Sequence, residues 1–145
     1  MQFSSRLTIA VHTLLCLEVF RGQYKTTSEF LAGSVNVNPV IIRNTLGKLK
    51  KAGMITVEPG VGGAALAKAP EEITLLNIFN AVEEDEDLFH FHEHPNPQCP
   101  VGRNVHAVLD DRLDAVRQSM TDSMRAVTLR DLLEDTRAHI EQQQD

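Results

Sequence analysis

The sequence predicts a mainly α-helical fold with one small β-hairpin, and three observations predict it. Between Ser4 and Gly53 the chain holds three apolar-periodic stretches bracketed by residues that start or stop helices. A β-branched, Gly-rich stretch, MITVEPGVGGAALAK, follows them. Beyond Pro100, VGRNVHAVLDDRLDAVRQSM keeps an apolar stripe at spacings of three and four with no breaker after Gly102.

The first stretch, SSRLTIAVHTLLCLEVF, opens on serines able to cap a helix and meets no Gly or Pro until Gly22. Its apolar residues form two stripes, one through Leu7, Val11 and Leu14 and one through Ile9, Cys16 and Phe20. A core on one side covers only the first, so the second calls for another partner. In TTSEFLAGSV, Thr26 and Glu29 have capping-box spacing and Gly33 is the expected stop. In NVNPVIIRNTLGKLKKAG, Asn38 is the N-cap, Pro39 the first helical residue and Gly53 the stop.

On that third helix Ile42, Leu46 and Leu49 form a narrow inward stripe and leave Arg43, Asn44, Gly47, Lys48 and Lys51 outward. Two helices joined by a short turn, the second with an Arg, Asn and Lys face, make a helix-turn-helix suited to a major groove. Arg can pair with guanine and Asn with adenine, while lysines suit phosphates. Taken alone, this helix is equally explained as the solvated face of a small helical domain. The hairpin decides for a winged helix-turn-helix: Ile55 and Val57 alternate, PGVGG makes the tip, and Ala65 and Leu66 return. Gly60 and Gly62 at the tip let backbone approach a DNA strand closely. A phosphate-binding loop is excluded because GVGG lacks the Gly-Lys-Ser or Gly-Lys-Thr ending and follows a helix.

At 145 residues the chain is expected to form one domain with an appended helix. No apolar run approaches the roughly 20 residues of a membrane span, and no secretory signal opens the chain, so a cytoplasmic protein without membrane contact is expected. Cys16 and Cys99 give no disulfide framework. No Trp and a single Tyr, Tyr24, argue against base-stacking single-strand binders. The net charge of −6 is unevenly spread. Residues 1–68 carry eight Lys and Arg against three acids, a balance of +5, and residues 69–145 carry six against seventeen, a balance of −11. The basic half is therefore the one expected to meet nucleic acid.

The blocks SSRLTIAVH, VNPVIIRNTLGKLKKAGMI, PGVGG, ITLLNIFNAVE, CPVG and SMRAVTLRDLL give the chain a resemblance to the Rrf-two family of bacterial winged-helix transcriptional regulators, the IscR, NsrR and CymR group. NPQCPVG is similar to the YwnA-like subgroup. The resemblance implies a homodimer that binds a partly palindromic double-stranded DNA operator, usually represses, and makes most of its dimer contact through the tail helix. It implies DNA reading by Val40, Arg43 and Asn44, with backbone support from Thr27, Ser28 and Lys48. Family members that place a wing arginine in the minor groove have it where this chain has Pro59.

The residues support a dimer separately. Val101, Val105, Leu109, Leu113, Val116 and Met120 form a stripe too long for a winged-helix monomer to cover, and Ile9, Cys16 and Phe20 are the expected surface for the partner's helix. Thr128 with Asp131 caps a last helix before a QQQD tail expected to fray. The expected organisation is a DNA-binding domain at 1–82, an acidic, His-rich linker with a candidate sensor cysteine at 83–99, and a dimerisation helix and C-terminal helix at 100–145.

The linker's HFHEHPNPQC invites three readings. Many members of the resembled family hold an iron–sulfur cluster through three cysteines in this loop, where this chain has only Cys99 and, on its first helix, Cys16; a cluster is not expected. Zinc could take His90, His92 and His94 with Cys99 if the segment is extended, but the spacing is unlike structural zinc pairs and Pro95 and Pro97 stiffen the approach, so zinc is not favoured. No resident cofactor is expected. The favoured reading makes Cys99 the N-cap of the long helix, where free N–H groups and the helix dipole favour a reactive thiolate. His12 is read as a hydrogen-bonded structural histidine. No nucleophile, base and orienting group stand at motif spacing, so an enzyme is not expected. The expected function is a dimeric DNA-binding regulator, a repressor sensing redox state through Cys99; the alternatives are a winged-helix protein-interaction module and a metal-responsive regulator using the His90, His92, His94 and Cys99 loop.

Overall fold

Three helices, a two-stranded hairpin and three further helices follow one another along the chain in the computed structural model, which describes residues 4–58, 63–84, 89 and 91–144. They are α1 (Arg6–Val19), α2 (Ser28–Val35), α3 (Pro39–Lys51), β1 (Ile55–Glu58), β2 (Gly63–Leu66), a 3-10 turn at Pro70–Glu72, α4 (Leu75–Val82), α5 (Pro100–Arg125) and α6 (Leu129–Gln143). β1 and β2 pair antiparallel in a register running from Ile55 opposite Leu66 to Glu58 opposite Gly63. Pro59, Gly60 and Gly62 of the wing tip, and His90 of the linker, lie outside the described residues.

Helix α3 starts and stops as its sequence dictates. Asn38 accepts the Val40 N–H on its side-chain oxygen at 2.9 Å, Pro39 opens the first turn, and Gly53 takes a φ of 79° beyond the C-cap. Ile42, Leu46 and Leu49 are buried. Two expectations for α2 shift. Thr27, not Thr26, is its N-cap and accepts the Phe30 N–H at 3.2 Å, because the buried Thr26 hydroxyl donates to the Ala64 carbonyl on β2 at 2.7 Å. α2 also runs through Gly33 and ends where Asn36 adopts the left-handed conformation at φ 64°, which Asn tolerates better than most residues.

The core joins Leu14 of α1, Leu31 of α2, Ile42 and Leu49 of α3, and Ile73 and Ile78, all fully buried. Leu129 and Leu133 of α6 complete it. A Thr128–Asp131 capping box starts α6, the Leu129 N–H donates to Ile73 O at 2.7 Å, and the Leu75 N–H donates to Val127 O at 2.8 Å. The end of the chain is thus built into the body formed by its beginning.

Helix α5 stands apart from that core. Its 26 residues span about 39 Å, yet Met124 is its one buried residue. Val101, Val108 and Val116 are exposed, and Val105, Leu109, Leu113 and Met120 are half-buried. The stripes of α1 fall differently from the sequence expectation. Leu14 enters the core, but Leu7 and Val11 turn with Leu15, Cys16, Val19 and Phe20 onto an apolar groove of about 660 Å³ shared with Leu132 and Ile140 of α6. Ile9, expected with Cys16 and Phe20, instead lines a cleft facing α3. At 100° per residue the open face of α1 is the one through Leu7, Val11 and Leu15, so α6 takes up only part of it.

Candidate nucleic-acid interface and sensor loop

Helix α3 presents its outer face because its inner face is fully used in packing. Val40 is 52% and Ile41 42% exposed, Arg43 and Asn44 are exposed, and Lys48 is half-buried. Thr27 and Ser28 stand at the start of α2, where unpaired helix N–H groups favour anions. Among the described residues the predicted readers Thr27, Ser28, Val40, Arg43, Asn44 and Lys48 therefore all sit on the α2–α3 unit; Gly60 and Gly62 fall outside the description.

Two cations of this face, Arg43 and Lys48, are engaged by acids. Arg43 Nη2 is 3.4 Å from Glu29 Oε1, and Lys48 Nζ is 3.1 Å from Glu84 Oε1. Arg6 lies 3.7 Å from Glu84 and 3.9 Å from Glu83, and the Ser4 hydroxyl reaches both Glu83 carboxylate oxygens, at 2.7 and 3.0 Å. Lys48, by hydrogen bond and charge, and then Arg6, by charge, hold the Glu84 carboxyl below its usual pKa. Ser4, Arg6, Ile9, Asn44, Lys48 and Glu84 line one cleft of about 390 Å³. Sequence reasoning missed Ser4, Arg6, Glu83 and Glu84: the capping pattern assigned the serines to α1, but Ser5 makes no side-chain cap and Ser4 turns to Glu83.

At the far end of the linker Cys99 is the N-cap of α5 and is exposed. The N–H groups of Gly102 and then Val101 draw its thiol pKa below the ordinary value, although no hydrogen bond of normal geometry closes the cap. Gly102 is needed there, since a Cβ at this position would come 2.7 Å from the Asn96 carbonyl oxygen. Cys16 is the opposite case: burial pushes its thiol pKa up, against a lowering hydrogen bond to Ser34 Oγ at 3.3 Å. The same Ser34 hydroxyl lies 2.9 Å from His12 Nε2, which gives His12 a structural partner.

Of the linker histidines, His92 and His94 are described, and they part company. His94 has a φ of 56°, which breaks any extended course, and its ring stands in solvent beside Glu93. His92 approaches His106 of α5, with ring centroids 6.3 Å apart, while Phe91 stacks on His106 at 4.2 Å. His106, unnoticed in the sequence, keeps a buried Nε2 with no hydrogen-bond partner among the described residues. Arg117 of α5 lies 5.5 Å from the Phe89 ring centroid, so the linker folds back along α5. Among the described residues no three His, Cys, Asp or Glu side chains are grouped to hold a metal ion. The donor set does not fit a three-cysteine iron–sulfur cluster, because the chain's second thiol is buried on α1 against Ser34.

Comparison with known proteins agrees with this architecture. The profile of the Rrf2 family, described as iron-dependent transcriptional regulators, matches residues 3–135. The candidate HTH-type transcriptional regulator YwnA of Bacillus subtilis is 41% identical over 130 residues, covering 90% of this chain and 96% of YwnA. A crystal structure of a candidate transcriptional regulator from Lactobacillus plantarum superposes with a TM-score of 0.77 at 26% identity, covering 97% of this chain and 99% of that one. The T. potens IscR structure shares the fold with a TM-score of 0.70 at 20% identity, covering 94% and 88%. These relatives are regulators and not enzymes, and among the described residues no helix is long and apolar enough to cross a membrane. From the α2–α3 unit, its hairpin and these matches together, the chain belongs to the Rrf2 family of DNA-binding winged-helix transcriptional regulators.

Proposed function

We propose that the protein is a homodimeric, operator-specific repressor that releases DNA when Cys99 is oxidised. The observation that carries this reading is the division of α3, with Ile42, Leu46 and Leu49 committed to the core and Val40, Arg43 and Asn44 left outward on a capped, rigid helix. Dimerisation is supported by the apolar stripe of α5 and the apolar groove between α1 and α6, which offer a second copy complementary surfaces. The signal is assigned to Cys99 because it is the exposed thiol and the one whose pKa is lowered. Its thiolate attacks a peroxide oxygen, the O–O bond breaks, water or an alcohol leaves after proton uptake, and the sulfenic acid then condenses with a second thiol, releasing water.

The test is the affinity of the purified protein for the DNA upstream of its own gene, reduced and after mild peroxide treatment, with Cys99→Ser alongside. Tight binding that oxidation abolishes in the wild type but not in the variant supports the reading. Equal response of the two proteins removes Cys99 as the sensor, and affinity indifferent to Arg43→Ala and Asn44→Ala removes the DNA-reading assignment.

A further inference from the structure

Three donors from two distant parts of the chain converge beside the reading face. Ser4 and Arg6 come from the start of α1, and Lys48 comes from α3, one turn beyond Asn44, which lines the same cleft. Two carboxylates sit on them: Glu83 takes the Ser4 hydroxyl and lies near Arg6, and Glu84 takes Lys48 and Arg6. Glu83 is largely covered, but Glu84 is exposed, and exposed pairs such as its own with Lys48 and Arg6 add little to stability, so folding alone does not account for its place at the cleft. A hydroxyl, a guanidinium and an ammonium make charge-assisted bonds to any oxyanion, and a DNA phosphate is the oxyanion that a helix reading the adjacent groove brings to this position.

We propose that Ser4, Arg6 and Lys48 form a seat for a backbone phosphate of duplex DNA, and that Glu83 and Glu84 occupy it in the free protein as an internal phosphate mimic. This rests on the assignment of α3 as the DNA-reading helix. Glu83 follows directly on Val82, whose buried side chain holds the end of α4 in the core. The two acids are thus fixed at one end by the fold, and at the other they open the linker that leads to Cys99. DNA must displace them.

The experiment measures binding of the full-length protein to a fluorescent duplex of arbitrary sequence and to one from upstream of its own gene, over a series of salt concentrations. The phosphate contribution is independent of sequence, so both duplexes report it. Glu83→Gln/Glu84→Gln is expected to bind both about two- to tenfold more tightly at low salt, with the gain shrinking as salt screens the internal pairs. Glu134→Gln/Asp135→Asn, which removes the same charge from the exposed face of α6, is expected to give a markedly smaller gain. In an Arg6→Gln/Lys48→Gln background the gain from Glu83→Gln/Glu84→Gln is expected to vanish. A gain that persists in that background, or that the α6 control reproduces, overturns the seat. Binding that is intact but indifferent to both glutamates also overturns the seat while leaving the DNA-reading assignment standing. Folded protein that binds neither duplex overturns the DNA-reading assignment itself.

Discussion

At the start of α5 the Cys99 thiol stands in solvent against the N–H groups of Gly102 and Val101, whereas burial along α1 pushes the Cys16 thiol pKa up. A lowered pKa means more thiolate at a given pH, and a raised one means less. Alkylation of Cys99 by iodoacetamide, followed against pH by mass spectrometry, is therefore expected to reach half its maximal rate at a lower pH than that of a free cysteine. Cys16 is expected to react slowly and only at higher pH; coincident profiles for the two would refute the contrast. Gly102 gives a second test at this scale. Its missing Cβ leaves room for the Asn96 carbonyl, so Gly102→Ala is expected to cost about 1–3 kcal/mol by overpacking. A thermal melt measures that cost, and the same variant should move the Cys99 alkylation profile, since the N–H of residue 102 is displaced with its backbone.

Among the elements, α3 carries the clearest division of labour. Arg43→Ala and Asn44→Ala are each expected to cost about 1–3 kcal/mol on the cognate duplex and much less on an arbitrary one, as direct readers of bases do. Lys48→Ala should weaken binding to both duplexes and lower the salt slope by about one. Fluorescence titrations at several salt concentrations separate the two classes; a uniform loss in all three variants would deny base reading. α3 was legible in the sequence because Asn38, Pro39 and Gly53 act locally and its inward stripe is narrow. The ends of α2 were less so: Thr26 and Thr27 are equivalent as caps until β2 arrives to claim Thr26. α1 was misread in part because it is apolar nearly all round, and only the position of α6 decides which side remains open. The cleft of Ser4, Arg6 and Lys48 was invisible for the same reason, since its occupants Glu83 and Glu84 approach from a segment far along the chain. His106 escaped notice because a lone histidine in an amphipathic helix gives no signal until Phe91 and His92 fold over it.

At the scale of the whole molecule, a core made without α5 sets the expectation for assembly. Leu109→Asp/Leu113→Asp alters side chains that are half-buried along α5 and absent from the buried core. The pair should shift sedimentation toward the monomer while leaving the far-ultraviolet dichroism nearly unchanged; an unaltered dimer, or a collapse of helicity, would contradict this. The basic first half and the acidic second half meet at the Ser4, Arg6 and Lys48 cleft, where Glu83 and Glu84 pair with its cations. One further consequence follows from α6. Because Leu129 and Leu133 are seated in their own chain's core, α5 is fastened at both ends, through the linker to α4 and through α6 to Ile73. It is a closed handle and not a free arm. In the proposed dimer, copies cannot trade this segment without pulling α6 out of the core, so subunits mixed from two populations should exchange at the rate at which handles disengage, far faster than either body unfolds.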